Sequence, residues 1–495
     1  MDWRTYAAVG ALGLAAFAGA ARADDTSDLR AQLDGLQRKV RQLENLAPSQ
    51  DEISATVAQY MTTSPQVAYV GGGADGSAGF PLGKKPFIKE GPNKLEIAFR
   101  NQVRYESFLY SDDAVGTLSD TGNPVSDDAP RDRSGFEIER LYLGFDGSIF
   151  CEDITFKLEL NFDADSGTGV EKRYAYMDWK YSGEHHIRAG ADKVAYCAEE
   201  NHSSSVLAFV DRSITGKAFE LGFDTGLAAW GYLGTCDCPK NFMYKVQVTN
   251  GEGLINRGSV FNTDAFDTYS DNLLIAAMFE WNITCNDWKW DMVDHRSCEK
   301  RCALDLSIGL SGYYENDDDS KHDQWGGLRL GDSNDRAERY GLDFWVRGQW
   351  NGLSWLGEFM LRNIQYTRDN GGGPSTKPEQ EDMGASLTVH YRFADSNWGI
   401  GARAAMIWLD DDYLSLTSGP QGNTTTIALE DTITEFGVAV NYFFYDHNSK
   451  LTADVNFVQD NSGVNSSSAG YMQGAARGVL VEDGIFLRIQ WQLNF

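Results

Sequence analysis

Apolar and polar residues alternate with a period of two along most of the chain, from about residue 94 to the last residue. The apolar positions of the C-terminal segment are Ile485, Leu487, Ile489, Trp491, Leu493 and Phe495. The same period recurs around 95–99, 156–162 and 451–457. Successive side chains of a strand point to opposite faces, so these segments predict β-strands with one apolar and one mostly polar face.

The length of these segments separates two kinds of all-β protein. Strands of a soluble sandwich are typically about five or six residues long. The predicted strands run to about ten residues or more and carry aromatic residues near their ends, as strands that cross a bilayer at a tilt do. Beyond the N-terminus no run reaches about 18 apolar residues, which excludes membrane-spanning helices. The pattern predicts an outer-membrane β-barrel.

A strand count is consistent with this fold. The predicted strands lie near 94–109, 136–149, 154–163, 173–181, 185–194, 218–224, 242–249, 273–281, 303–314, 337–350, 355–366, 383–393, 398–409, 432–443, 450–459 and 482–495. They make a sixteen-stranded antiparallel barrel, and the even number leaves both of its ends in the periplasm. Short turns then lie on that side, and long connections such as 197–217 lie on the other.

The first 23 residues have the pattern of an export signal. Arg4 precedes an apolar stretch from Tyr6 to Ala21, and Ala21-Arg22-Ala23 supplies small residues at the two positions that a signal peptidase recognises. The apolar core is too short to span a bilayer. Residues 1–23 therefore predict a cleaved signal peptide, with a buried N-terminal helix as the alternative.

Residues 24–47 have the spacing of a short coiled-coil helix. Its apolar seam, at alternating steps of four and three, is Leu29, Leu33, Leu36, Val40, Leu43 and Ala47. Three heptads are marginal for a coil in isolation, so we expect this helix to add to another association between subunits. The alternative is a single amphipathic helix on its own domain. Residues 48–93, rich in small residues, predict a linker, and 94–495 the transmembrane barrel.

Composition and charge narrow the function. The chain is 42% hydrophobic and 12% aromatic, which excludes disorder because ample apolar surface is available for burial. Its formal net charge of −29 excludes a generic nucleic-acid binder. Many acidic residues fall in predicted loops, such as 317–319 and 410–412, as solvated loop tips or as divalent-ion bridges to lipopolysaccharide.

Charged residues on the polar faces of the predicted strands are candidates for the lining of a pore. By parity these are Arg100, Arg104, Arg347, Arg403 and Arg488. A charge on the lipid face costs about 2–4 kcal/mol at mid-bilayer, so these arginines should face the lumen. The alternative is that they pair with wall carboxylates, which would leave a weakly selective pore. The carboxylates considered are Glu96, Asp343, Glu358 and Asp454.

The seven cysteines are to be read in an oxidising compartment, because the chain carries an export signal. Six of them fall at predicted periplasmic turns: Cys151, Cys236, Cys238, Cys285, Cys298 and Cys302. We expect disulfides that join this rim, within or between subunits. A zinc site is the alternative, although the nearby His295 lacks a clear set of further ligands. The seventh, Cys197, lies in a predicted long loop.

The sequence offers no catalytic constellation. It contains no Gly-x-Ser-x-Gly elbow, metalloprotease motif or phosphate-binding loop. An outer-membrane lipase would need a Ser-His pair that cannot be assembled here. We therefore expect no enzymatic activity, no catalytic residues, no resident metal and no cofactor.

Several short motifs of the barrel resemble those of the phosphate-selective porin O and P family. The segment 138–150 resembles the Arg-x-x-x-Gly-x-x-Gly hairpin of that family, and Ile187-Arg-Ala-Gly190 with Lys193 resembles its Arg-x-Gly-x-x-Lys strand. Phe209-Val-Asp-Arg-Ser213 is similar to its Glu/Asp-Arg-Ser loop. Further matches in the same order are Val248–Gly251, Gly357–Phe359, Arg403 and Arg488–Phe495. The matches are individually degenerate, but their common order makes them specific.

This resemblance implies a sixteen-stranded trimeric porin through which small anions, phosphate among them, diffuse passively. It implies that the loop 197–217 folds into the lumen, with Glu199, Glu200 and Arg212 at the constriction. It adds Arg140, Arg188, Lys193 and Arg212 to the candidate pore-lining residues. The expected surroundings are outer-membrane lipids and two further copies of the chain.

Two other functions stay open at this stage. The acidity of the chain favours a weakly selective or cation-preferring general porin. The cysteines and the coiled coil favour a structural, cysteine-stabilised outer-membrane protein.

Overall fold

The computed structural model describes residues 76–79, 85–110, 133–162, 170–235, 238, 240–251, 273–285, 303–317, 336–369, 374–376, 380–394, 396–408, 432–460 and 484–495. The predicted signal peptide and coiled-coil helix lie outside these residues. Two short strands lie within 48–93, for which the sequence predicted only a linker. Neither helix in the described part is long and apolar enough to cross a membrane.

The described residues form nineteen strands and two short helices. The strands are β1 (Gly76–Gly79), β2 (Phe87–Glu90), β3 (Asn93–Tyr110), β4 (Arg133–Ile149), β5 (Cys151–Asn161), β6 (Glu171–Ser182), β7 (His185–Lys193), β8 (Phe223–Leu233), β9 (Phe242–Thr249), β10 (Leu274–Asn282), β11 (Asp305–Asp317), β12 (Arg336–Trp350), β13 (Leu353–Asp369), β14 (Pro374–Thr376), β15 (Gln380–Arg392), β16 (Trp398–Trp408), β17 (Thr432–Tyr445), β18 (Ser449–Asp460) and β19 (Gly484–Asn494). The helices are α1 (Ala198–Asn201) and α2 (Ile214–Phe219).

The long strands form a closed antiparallel barrel. All nineteen strands belong to one sheet, in which β1, β2 and β14 are short additions, so that sixteen make the wall. Each wall strand pairs with its neighbours in sequence, and β19 closes the ring by pairing with β3 from Gly484↔Tyr110 to Asn494↔Arg100. The predicted all-β, sixteen-stranded antiparallel barrel is confirmed.

The two faces of each strand meet different surroundings. In β16, Gly399, Gly401 and Arg403 are buried inside the barrel, whereas Trp398 and Ile400 are exposed on its outer surface. The outer face is apolar and the inner face mostly polar, as a barrel in a lipid bilayer with a wet lumen requires. The alternation seen in the sequence is therefore the alternation between lipid and lumen.

Aromatic side chains ring one end of the outer surface. The exposed tryptophans there are Trp179, Trp281, Trp350, Trp398 and Trp491. Tight turns join the strands at this end, which we call the short-turn end. The turn between β12 and β13 is Asn351-Gly352, with φ of 51° and 85°. Positive φ at both positions is typical of the type I′ hairpin turn, which Asn-Gly adopts readily.

One predicted strand is wrong. The sequence predicted a strand at 218–224, but α2 extends to Phe219 and the strand β8 begins at Phe223. The lumen face of β8 carries Gly226 and Ala228, so this strand lacks the polar alternation of the others. The apolar residues Ala218 and Leu221, read as part of a strand, are buried within the barrel instead.

Candidate functional site

The loop 194–222, between β7 and β8, folds into the lumen, and we call it the inserted loop. Most of its side chains are buried, with Ala195, Cys197 and Val210 fully inaccessible. Its second helix, α2, begins at Ser213, whose hydroxyl accepts a hydrogen bond from Gly216 N at 2.9 Å. The sequence expected an inserted loop at 197–217, and the structure describes one there.

The inserted loop is held against β12 and β13 by two carboxylates. Asp343 accepts a hydrogen bond from Ala198 N at 3.2 Å, and Glu358 accepts one from Glu199 N at 2.9 Å. The Tyr196 hydroxyl donates towards backbone carbonyls of the same wall. From the sequence, both carboxylates were candidates for pairing with pore arginines. In the structure they accept hydrogen bonds from backbone N–H groups at the start of α1.

A second set of contacts fastens the loop to β17 and β18. Ile214 N donates to Glu435 Oε2, and Val210 N donates to Asp454 Oδ2, each at 2.9 Å. Lys450 Nζ donates to the Leu207 carbonyl at 2.5 Å. The loop is therefore fastened to the half of the wall formed by β12 to β18, in addition to its contacts with β3, β4 and β19.

Three of the predicted site residues hold the inserted loop together. Arg212 Nε lies 2.8 Å from Glu200 Oε2, and its guanidinium donates to the Glu199 and Glu200 carbonyls at the end of α1. Burial by itself would raise the pKa of Glu200, but Arg212 and then Lys193 lower it to about 2. Burial raises the pKa of Glu199, whose carboxylate accepts hydrogen bonds from Ser213. These buried contacts favour a structural role for Arg212.

Asp211, also in the inserted loop, forms ion pairs with cations from three strands. Its carboxylate lies 3.2 Å from Arg140, 3.4 Å from Arg104 and 3.9 Å from Arg488. Lys217 of the loop adds an ion pair at 2.7 Å. Burial would raise the pKa of Asp211, but these cations, Lys217 first, hold it well below its usual range.

The other predicted arginines on the wall are also ion-paired. Arg188 lies 2.8 Å from Asp178 and 2.6 Å from Asp192. Arg347 pairs with Glu280 at 2.7 Å, and Arg488 with Asp454 at 2.9 Å. Arg403 pairs with Glu435. The wall pairing that the sequence left open as an alternative is thus present for most of the candidates.

Arg100 and Lys157 differ from these arginines. The Arg100 guanidinium donates to Ser204 Oγ at 2.8 Å and Ser203 Oγ at 3.2 Å, and lies 5.4 Å from the ring centre of Tyr142. Lys157 Nζ lies 3.6 Å over the ring of Tyr174. Neither cation has a carboxylate oxygen of another described residue within 4 Å. Both face the lumen.

The structure places all of the predicted lining and constriction residues inside the barrel or in the inserted loop. Two charged side chains that the sequence did not single out join them, Glu139 and Arg173. Each is the extra residue of a β-bulge: Ile138 and Arg140 pair with consecutive residues of β3, and Lys172 and Tyr174 with consecutive residues of β5. A bulge turns one more side chain to the same face, which strict alternation cannot predict.

One predicted disulfide partner pair is present among the described cysteines. Cys238 and Cys285, at neighbouring turns of the short-turn end, are bonded with a Cα–Cα distance of 5.6 Å. Cys151 forms no disulfide with another described cysteine, so a bond from Cys151 to a second copy of the chain stays a prediction. Cys151 lies at the β4–β5 turn, several strand spacings of about 4.8 Å from those turns, and a disulfide requires Cα atoms within about 7 Å. Cys236, Cys298 and Cys302 lie outside the described residues.

Comparison with solved structures finds outer-membrane proteins. The outer-membrane channel DcaP of Acinetobacter baumannii is 11% identical, with 82% of this chain and 99% of that chain covered and a TM-score of 0.48. OprB of Pseudomonas putida is 13% identical over 81% of this chain and 94% of its own, with a TM-score of 0.48. No curated protein matches the sequence.

The family comparison concerns the part of the chain that contains the inserted loop. The model of the family "Phosphate-selective porin O and P" matches residues 118–273. This range runs from before β4 to the start of β10 and includes Arg140, Arg188, Lys193 and Arg212. The resemblance seen in the sequence motifs is confirmed over these residues, and with the closed sixteen-stranded barrel it supports an outer-membrane porin.

Proposed function

We propose that this porin conducts small hydrophilic anions, phosphate among them, with a weak preference over cations. One observation carries this proposal. Among the described residues, no carboxylate lies within 4 Å of the lumen-facing cations Arg100 and Lys157, whereas the carboxylates of Asp343 and Glu358 are covered by the inserted loop. A passing ion therefore meets the two cations more closely than the two anions, and close fixed charges determine selectivity.

The negative net charge of the chain does not oppose this preference. Fixed charges in water are screened over about 8–10 Å at physiological ionic strength. Acidic residues on external loops are therefore too far from the constriction to act strongly on an ion inside it. The pairing of Arg188, Arg347, Arg403 and Arg488 with carboxylates reduces the net positive charge of the lumen, which is why we propose a weak preference.

The test is reconstitution of the full-length protein in a planar bilayer under a KCl gradient. We expect stable channels with a reversal potential of the sign that anion permeation gives, and partial block by added phosphate. The Arg100→Gln and Lys157→Gln double variant should lose the preference. Lys240→Gln serves as the control, because Lys240 pairs with Glu184 at 3.8 Å and is exposed at the rim. Channels that prefer cations would overturn the proposed selectivity.

A structural role in the envelope is a second candidate, supported by the Cys238–Cys285 disulfide. It would not exclude a channel, but it predicts that conductance is incidental. Folded, trimeric protein that forms no channels in the bilayer would favour this role over ion transport.

We further propose that residues 1–23 direct export and that the helix 24–47 assists a homotrimer embedded in outer-membrane lipid. The heptad seam and the family resemblance support the association. Deletion of 24–47 should lower the trimer fraction in detergent while leaving the barrel folded. We propose no enzymatic function.

A further inference from the structure

The two halves of the lumen wall differ in how much of their charged surface remains open. The side chains of Arg173 and Arg188, on β6 and β7, are 18% and 13% exposed. Those of Arg347 and Arg403, on β12 and β16, are 0% and 1% exposed. Arg100 of β3 and Arg140 of β4 also contact the inserted loop, so the open part of the lumen lies beside β5 to β7.

Aromatic rings and cations alternate on this open side. We call the lumen-facing set Tyr142, Lys157, Arg173, Tyr174, Tyr176 and Arg188 the aromatic wall. Lys157 lies 3.6 Å over the ring of Tyr174, Arg188 lies 4.0 Å over that of Tyr176, and Arg173 lies 4.3 Å over that of Tyr142. These distances are within the range of cation–π attraction.

The local sequence explains how so many groups share one face. Tyr174 and Tyr176 are two residues apart on β6 and so point the same way, with their ring centres 6.1 Å apart. The bulge at Arg173 turns a third side chain of β6 into the lumen beside them. Both tyrosines are only half-buried, so apolar ring surface and positive charge are available together.

The aromatic wall continues into a cavity at the short-turn end. This cavity has a volume of about 550 Å³, and it shares Lys157 and Tyr176 with the aromatic wall. Its other polar lining groups include two lysines, one serine and three carboxylates, which are Lys89, Lys94, Ser148, Glu96, Asp146 and Glu152. Cavities of roughly 300–1,000 Å³ hold small organic ligands. A solute that leaves the aromatic wall therefore has room to bind before it leaves the barrel.

We propose that the aromatic wall is the permeation path and a binding site for aromatic carboxylates. This inference rests on the proposed conduction of anions and names a substrate class for it. An inorganic anion uses only the cations of this wall. A carboxylate attached to a flat ring can pair with Lys157 while its ring lies against the half-buried tyrosines.

The experiment compares benzoate with acetate, which carries the same charge without the ring. Each is titrated into KCl against single channels of the full-length protein, and the concentration that halves the current is measured. We expect benzoate to block at a concentration at least five times lower than acetate. The Tyr174→Leu and Tyr176→Leu double variant should remove most of this difference.

The matched control is Tyr313→Leu. Tyr313 also faces the lumen, but it lies on β11, where Tyr196 of the inserted loop packs on it with ring centres 4.7 Å apart. This variant should keep the difference between benzoate and acetate. An equal loss in both variants would overturn the assignment of the path to the aromatic wall.

The outcomes separate this inference from the proposed function. Anion preference with equal block by benzoate and acetate would overturn the aromatic site and leave anion conduction standing. Channels without anion preference that benzoate still blocks in a tyrosine-dependent way would overturn anion conduction and leave the aromatic site standing. If no channels form, calorimetric titration of benzoate into the detergent-purified protein decides, and absence of tyrosine-dependent binding would overturn the site.

Discussion

Four cationic side chains, those of Arg104, Arg140, Lys217 and Arg488, share the single carboxylate of Asp211. Such an arrangement keeps like charges close together only as long as the anion between them is present. Asp211 is itself buried, so the attraction is weakly screened. This residue links the inserted loop to β3, β4 and β19, and it also offsets part of the positive charge in the lumen.

Replacement of Asp211 by Asn should shift ion selectivity towards anions. One unit charge at 7 Å in water changes an ion's energy by roughly 0.6 kcal/mol, which corresponds to about a threefold change in the permeability ratio. The measurement is the reversal potential of Asp211→Asn channels under a KCl gradient.

Glu152→Gln is the control for this prediction, because it removes the same charge from a side chain that is 78% exposed at the rim. Its reversal potential should stay close to that of the wild type, since water and salt screen that position. An unchanged potential in Asp211→Asn would contradict the role of Asp211 in the charge of the lumen.

His202 in the inserted loop should make the barrel less stable in acid. Arg347 donates a hydrogen bond to His202 Nε2 at 2.9 Å, which only a neutral ring can accept. Burial, and then the charges of Arg347, Lys193 and Arg212, hold the pKa of His202 well below 6.5. The unfolded chain therefore takes up a proton on this ring near pH 6.5, whereas the folded protein does not. The free energy of unfolding falls as the pH decreases below that value.

The expected slope is up to about 1.4 kcal/mol per pH unit below pH 6.5, with no contribution above it. Urea unfolding in detergent between pH 7.5 and pH 5 measures it. His202→Gln cannot take up a proton at this position, so its stability should fall less over the same range. Parallel pH profiles for the two proteins would show that His202 is not the group responsible.

At the residue scale, sequence alternation predicted which side chains face the lumen but not what they contact there. Arg347 and Arg403 are on the predicted face because a period of two is enough to assign it. Their partners Glu280 and Glu435 are distant in sequence, and only the barrel register brings them together. Glu139 and Arg173 were missed because a bulge leaves no mark in the alternation.

Individual elements are tied together most firmly at the short-turn end. The Cys238–Cys285 disulfide joins the turn after β8 to the turn after β10, and 47 positions of sequence separate its two residues. A cross-link of this kind stabilises chiefly by restricting the unfolded chain. Porin turns at this end are short, so a covalent link between two of them restricts both hairpins.

Removal of this disulfide should lower the stability of the barrel by about 2–4 kcal/mol. The Cys238→Ser and Cys285→Ser double variant should unfold at lower urea concentration and migrate differently in non-reducing electrophoresis. Either single variant should cost as much as the pair, because one bond is lost in each case. Cys151→Ser should behave as the wild type, since Cys151 forms no disulfide with another described cysteine. Reductant-independent stability of the wild type would contradict this prediction.

At the element scale, the sequence predicted the barrel strands and the inserted loop but misplaced β8. The long strands with polar inner residues were located in the sequence because their apolar and polar residues alternate with a period of two. In β8 the inner positions Gly226 and Ala228 are small, so polar alternation does not mark this strand. The apolar residues of the inserted loop just before β8 resemble a strand in their composition.

At the scale of the whole molecule, the two halves of the lumen wall differ in how much of their charged surface is open. The inserted loop is fastened to β12, β13, β17 and β18 through backbone donors that bind Asp343, Glu358, Glu435 and Asp454. The proposed permeation path lies on the other side, along the aromatic wall. The sequence predicted a constriction from family resemblance, but it contained no signal for the side on which the loop would rest.

The pairing of β19 with β3 has a consequence for how the molecule is made. Phe99 and Phe495 exchange backbone hydrogen bonds at 2.9 and 3.0 Å, and their rings lie 5.5 Å apart. A chain that ends before β19 would expose two unpaired strand edges inside a membrane, where unpaired backbone groups are strongly disfavoured.

We therefore expect a variant lacking residues 484–495 to be lost to degradation or aggregation during biogenesis, measured as the absence of heat-modifiable barrel in the outer membrane. A folded truncated barrel would contradict this expectation. Because contacts between the first and last wall strands span almost the whole chain, ring closure is the step of highest contact order. Assembly is then all-or-none: residues 484–495 decide whether the preceding strands become a channel.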